Sequence, residues 1–137
     1  MLTLLASRLR QEPNAPYFTS SDNTKAYLQL APLEREVFMV LYLDTQYRLI
    51  ASETTSLGSI RSTEVYPREI LKMALFHNAL AVILAHNHPS GNTEPSQADR
   101  VLTQKLMGGL ELIDVRVLYH LIIGDNLPVS FTELGLI

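Results

Sequence analysis

The sequence predicts an α/β fold, a three-layer α-β-α sandwich in which a mixed central sheet has helices on its faces. Apolar, strand-like segments alternate along the chain with segments of helical periodicity. The segment Ala79–Ala85 has no polar side chain and has the length of a central strand covered on both faces. Of the 137 residues, 47% are hydrophobic and 18% are charged, which suits one compact domain and excludes a disordered chain.

The first residues of the chain predict an arm or linker, residues 1–19, in front of a domain at residues 20–137. Met1–Arg10 has the pattern of a short amphipathic helix, and the prolines of Glu12–Pro16 prevent its continuation. Packing against the domain, or contact with a second copy of the chain, is the simplest role for this arm. A homodimer therefore stays open.

A hairpin between two helices forms the first half of the predicted domain. N-cap side chains at Ser21–Asn23 predict a helix that extends through Leu30. Val37–Leu43 and Arg48–Ser56, separated by a short polar turn, predict two antiparallel strands. A proline in the first helical position then predicts a helix over Arg68–Asn78.

The second half of the domain begins with the predicted central strand, Ala79–Ala85. A helix is expected to start at Ser96 and to reach Met107, after which two glycines end it. Val115–Gly124 predicts a further strand, and Val129–Ile137 predicts a short strand with a terminal turn.

Charge and composition exclude several classes of function. Eleven Lys and Arg residues stand against 14 Asp and Glu, the net charge is −3, and no basic run occurs, so binding to a nucleic-acid backbone is not indicated. The absence of cysteine excludes disulfides, thiolate chemistry and zinc sites that need sulfur. No apolar run approaches the ~20 residues of a membrane-spanning helix, and no signal peptide is evident. We expect a cytoplasmic protein without a membrane partner, in which any metal is bound by His and carboxylate.

Histidines and a carboxylate in one short stretch predict a metal site. His86 and His88 follow the predicted central strand one residue apart, so their side chains point to the same face. Asp99 lies in the first turn of the next helix, from which its carboxylate can reach the two histidines. Two imidazoles and one carboxylate form a zinc donor set with a fourth position open for water. In the alternative interpretation each imidazole bonds a backbone carbonyl, and Ser96 and Asp99 form only a capping box.

The spacing of these residues resembles a known signature. H-x-H, seven residues, Ser, two residues and Asp match the JAMM (MPN+/JAB) metalloprotease motif at every fixed position, as His86, His88, Ser96 and Asp99. The surrounding sequence, AVILAHNHPSG followed by PSQAD, resembles the RadC-like JAB family in particular.

The resemblance extends beyond the motif, from about Ser20 to the end of the chain. Leu41–Asp44, Val65–Glu69 and His120–Gly124 are similar to segments of the same family. The helix-hairpin-helix region that longer RadC-type proteins carry before this domain is not seen, so the chain resembles the short, stand-alone form.

The resemblance implies a JAB/MPN fold, similar to that of cytidine deaminases, and a zinc-dependent hydrolase that cleaves peptide or isopeptide bonds. It implies zinc on His86, His88 and Asp99, and a peptide or protein substrate. Ser96 would donate a hydrogen bond to the oxyanion of the tetrahedral intermediate.

The general base is also assigned through the resemblance. In JAMM domains a glutamate stands just before the first core strand, and Arg35–Phe38 matches that place, so Glu36 would move the proton between water and the leaving amine. Glu34 is the substitute candidate. A different function also stays open, because the family's label as DNA repair proteins suggests an accessory module that acts with nucleic acid through partners.

Three further residues near the motif carry expectations of their own. The family commonly has Asp before His120, where this chain has Tyr119, so support of the metal ligands is in doubt at that position. His120 lies in an apolar strand and is expected to be a hydrogen-bonded structural residue. His77, near a helix end, is expected to be structural or to face solvent.

Overall fold

The structure is a computed structural model that describes residues 36–56, 65–90, 92–124, 129–132 and 134–135. These residues form a mixed five-stranded sheet and two helices, which confirms the predicted α/β class. The elements are β1 (Val37–Leu43), β2 (Leu49–Ser56), α1 (Pro67–Phe76), β3 (Ala81–Asn87), α2 (Gln97–Leu112), β4 (Arg116–Ile123) and β5 (Val129–Ser130).

The sheet has the strand order β2-β1-β3-β4-β5, so β3 is its central strand. β1 and β2 form the predicted antiparallel hairpin, and β3 also pairs with β1 in antiparallel orientation. β3 and β4 are parallel, and α2 supplies the crossover that parallel neighbours need. All seven residues of β3 are buried, as the apolar sequence predicts for a central strand.

Each face of the sheet carries its own apolar cluster. On one face both helices pack against the strands, and this cluster includes Val40, Leu84, Ile70 of α1 and Leu106 of α2. The cluster on the opposite face includes Leu41, Ile83 and Leu121. Within the described residues both helices therefore cover the same face. The arm predicted for residues 1–19 and the helix expected through residue 30 lie outside the described residues.

The central strand lies two residues further along than predicted, at Ala81–Asn87 instead of Ala79–Ala85. Ala79 and Leu80 belong to the turn after α1, in which the Leu80 amide donates to the Leu43 carbonyl at 2.9 Å. At the other end, the side chain of Asn87 accepts a hydrogen bond from Val37 N and keeps this polar residue in the strand. Smaller shifts place the end of α1 at Phe76 and the start of β2 at Leu49.

The prediction that Gly108 and Gly109 end the second helix is wrong, because α2 continues to Leu112. A Cβ atom at Gly109 would lie 3.1 Å from a methyl carbon of Leu71, so the missing side chain lets α1 and α2 approach closely. Each glycine lowers the stability of a helix by about 1 kcal/mol. Full burial of the Leu110 side chain stabilises the longer helix by about 2 kcal/mol, which offsets the cost of the two glycines. Neither described helix is long and apolar enough to cross a membrane.

Candidate metal centre

The predicted site residues meet at one end of β3, on the face that carries the helices. Glu36 precedes β1, His86 lies in β3, His88 follows it, and Asp99 is the third residue of α2. One ligand atom of each lies within 4.8 Å of those of the other three. His86 and Asp99 are buried, while Glu36 and His88 are partly exposed. The cluster is thus closed on one side and open to solvent on the other.

Strand pairing explains why Glu36 is part of the cluster. Phe38 pairs with His86 in the antiparallel register of β1 and β3. Continuing this register by two residues, back along β1 and forward along β3, brings Glu36 beside His88. The amide of Val37 donates to Asn87 Oδ1 at 2.6 Å and fixes the start of β1 against the end of β3. Glu34, the substitute candidate, lies outside the described residues.

The start of α2 orients Asp99. Ser96 is the N-cap, its Oγ accepts from the Asp99 amide at 3.0 Å, and its own amide donates to Asp99 Oδ2 at 2.8 Å. The same carboxylate faces both histidines, with Oδ1 3.2 Å from His86 Nε2 and Oδ2 3.2 Å from His88 Nε2. The capping box therefore does not compete with a ligand role for Asp99, because one carboxylate has room for both sets of contacts.

Hydrogen bonds on the far side of His86 determine which of its nitrogens carries a proton. Thr103 Oγ1 donates to the Asp99 carbonyl at 2.7 Å, so it can only accept from His120 Nδ1. Burial, together with the charge of His86, lowers the pKa of His120 well below its ordinary value, so His120 is neutral and its Nε2 is an acceptor. His86 Nδ1 must then donate to His120 Nε2, 2.8 Å away.

A hydrogen bond also holds the proton of His88 on its Nδ1 atom. Its Nδ1 lies 2.7 Å from the carbonyl oxygen of Asn92, which only accepts, so Nδ1 carries the proton. In the neutral imidazoles the Nε2 atoms of His86 and His88 therefore both present lone pairs, 3.0 Å apart, toward an anionic carboxylate. Such a set repels itself unless a proton or a metal ion lies between its members. The donor types and their orientation fit a zinc ion held by two imidazoles and one carboxylate.

The electrostatics of the cluster match this donor set. Burial alone would raise the pKa of Asp99, but hydrogen bonding to His86 and His88 outweighs it and holds that pKa far below its usual value. The same contact with Asp99 raises the pKa of His88. Asp99 is thus an anion at neutral pH, and protons and a metal ion compete for the same nitrogen atoms.

Ser96 is exposed at the edge of the cluster. The capping box uses its Oγ as an acceptor, which leaves the hydroxyl proton available for a second partner. Its role as an oxyanion donor stays a prediction, as do the base role of Glu36 and the ligand roles of His86, His88 and Asp99.

The neighbouring residues differ in part from expectation. His120 is buried and hydrogen-bonded as expected, but one partner is His86, so it supports the site as well as the fold. Tyr119 packs on the face of the sheet opposite the metal centre, because adjacent strand residues point to opposite faces. His77 is buried, with its Nε2 3.0 Å from a carboxylate oxygen of Glu53.

Sequence reasoning missed two residues that organise the site, Asn87 and Thr103. Thr103 lies four residues after Asp99 and so on the same face of α2, a spacing that is readable from the sequence. Asn87 had no such signal, since its partner is a backbone amide 50 residues away.

Comparison with known proteins agrees with the motif. The chain matches the RadC-like JAB domain over residues 18–136. UPF0758 protein YfjY of Escherichia coli strain K12 is 56% identical over 99% of this chain and 85% of its own length. UPF0758 protein YkfG of the same strain is 57% identical, over 88% of this chain and 77% of its own. In UPF0758 protein Mmwyl1_0624 of Marinomonas sp. strain MWYL1 the identity is 54%, over 88% of this chain and 54% of the relative. The chain therefore belongs to the RadC-like JAB domain family.

Proposed function

We propose that this protein is a zinc-dependent hydrolase of the JAMM type, which cleaves peptide or isopeptide bonds in a peptide or protein substrate. One observation carries the proposal: two oriented imidazole lone pairs and an ionised carboxylate meet at one point, with a second carboxylate, that of Glu36, within 4.8 Å. A binding module has no need of a proton acceptor at that place.

In this proposal His86, His88 and Asp99 hold the ion, which when bound would polarise the scissile carbonyl and acidify water. Glu36 accepts the proton that the attacking water loses and later delivers it to the leaving amine. Its position at the open side of the cluster gives it access to both solvent and substrate. The free hydroxyl proton of Ser96 stabilises negative charge on the former carbonyl oxygen.

A library of peptides and of isopeptide-linked pairs tests the activity directly. We expect the zinc-loaded protein to cleave a subset of these compounds, to lose that cleavage with a chelator, and to regain it when zinc is restored. DNA binding that persists at moderate salt, in a protein that cleaves no member of the library, would instead favour an accessory module.

Thr103→Val removes the hydroxyl that links His120 to Asp99 while keeping the shape of the side chain. We expect zinc affinity to fall about 10- to 100-fold, because His86 loses the partner chain that fixes its tautomer. Competition with a chromophoric chelator measures the affinity. Thr103→Ser keeps the hydroxyl and should bind zinc almost as the parent does, so equal losses in the two variants would contradict this role.

A further inference from the structure

A second polar pair lies in the described residues outside the metal centre. His77, just after α1, has its Nε2 3.0 Å from Oε1 of Glu53 in β2, and its side chain is wholly buried while that of Glu53 is 28% exposed. The ring of Tyr42 lies beside that of His77, with 4.9 Å between centroids. Burial raises the pKa of the Tyr42 phenol, and the charge of Glu53 raises it further. The buried imidazole thus holds a carboxylate that still reaches solvent.

This carboxylate lines a groove between α1 and the β1–β2 hairpin, which we call the α1–hairpin groove. Its volume is about 380 Å³. Phe38, Val40 and Tyr42 of β1 form a buried, apolar floor, and Glu53 stands beside Val40, its partner in the hairpin register. Glu69 of α1 adds a second carboxylate at the rim, and none of the described lining residues is Lys or Arg. The groove therefore combines an apolar floor with negative charge.

One side chain, that of Phe38, borders both the groove and the metal centre. The ring of Phe38 stacks on the imidazole of His86, with 6.1 Å between centroids, and also meets His120 edge-on. Phe38 is at the same time part of the groove floor. Because Phe38 borders both, a substrate side chain close to a scissile bond at the metal centre would lie near this groove, on the helix-bearing face.

We propose that the α1–hairpin groove is a specificity subsite that receives a Lys or Arg side chain of the substrate. The methylene groups would pack on Phe38 and Val40, and the cationic head would pair with Glu53, which His77 orients. A neutral apolar side chain would leave Glu53 without a charged partner, and an acidic one would be repelled. This inference rests on the proposed function, since it assigns a substrate class to that site.

Peptide binding tests the inference separately from hydrolysis. The probes are fluorescein-labelled, end-capped seven-residue peptides of Ala, Gly and Ser with Arg, Lys, norleucine or Glu at the central position. The protein is the zinc-loaded full chain carrying Glu36→Gln, so that bound peptides stay intact. We expect the Arg and Lys peptides to bind about tenfold more tightly than the norleucine peptide, as a charged hydrogen bond implies.

Glu53→Gln in the same protein should remove this preference, because the amide oxygen can still accept from His77 but the charge is gone. Glu111→Gln, which removes an exposed charge on α2, should keep the preference for the Arg and Lys peptides.

Methyl resonances of Val40 and Met73 should shift on addition of the Arg peptide, a readout that does not depend on any variant. Equal affinities for the Arg and norleucine peptides, or no binding of either, would overturn the inference. Failure of the parent protein to cleave any bound peptide would overturn only the proposed hydrolase.

Discussion

His88→Ala is expected to lower the zinc content from close to one ion per chain to nearly none, the largest change that a single substitution should cause. Only His86 and Asp99 would remain as protein ligands, whereas catalytic zinc sites use three. The effect on the fold should be small, since His88 is partly exposed and lies just beyond the end of β3. Elemental analysis of protein purified without a metal-affinity tag measures the stoichiometry.

His77→Gln is a suitable control for this experiment, because it also removes one imidazole but one that bonds Glu53 away from the metal centre. We expect it to retain zinc. A parent protein that stays free of zinc after reconstitution at neutral pH would count against the metal centre itself. Full zinc content in His88→Ala would place the ion on other residues.

Glu36→Gln should separate metal binding from turnover. The amide has nearly the same shape as the carboxylate but accepts no proton, so we expect zinc to stay bound while turnover falls about 10²- to 10⁴-fold, the usual contribution of a general base. The measurement is the turnover of a substrate from the peptide library, together with the zinc content of the same sample.

Glu111→Gln is the matched control for charge, because Glu111 is exposed near the end of α2, the end of the helix away from Asp99. Its turnover should equal that of the parent. If Glu36→Gln also turned over substrate at the parent rate, the base would have to be a different carboxylate, and Glu34 would be the first to test.

The strands could be predicted from the sequence because their signals are local. Val37–Leu43 is continuously apolar, and its hairpin with the following strand needs only a turn between two alternating runs. The end of α2 could not be predicted in this way. Gly108 and Gly109 are helix-ending residues in isolation, and only the contact with Leu71 and the burial of Leu110 favour the longer helix.

The metal centre likewise has some features that could be predicted from the sequence and one that could not. The same-face geometry of His86 and His88 follows from strand periodicity, and Asp99 follows from the helix start, so both could be read from 14 consecutive residues. The contact between His86 and His120, which are 34 positions apart, depends on the parallel register of β3 and β4. No local pattern encodes that register, and for this reason His120 seemed separate from the site.

The capping box at the start of α2 has a consequence for how the site meets its ion. The Ser96 amide donates one hydrogen bond to the Asp99 carboxylate, and Ser96 Oγ accepts another from the Asp99 backbone amide, so folding itself immobilises this side chain. The rotamer entropy that a free aspartate would lose on coordination is already lost in the folded chain. The centre is preorganised, and occupation by a cation calls for little rearrangement of the polypeptide.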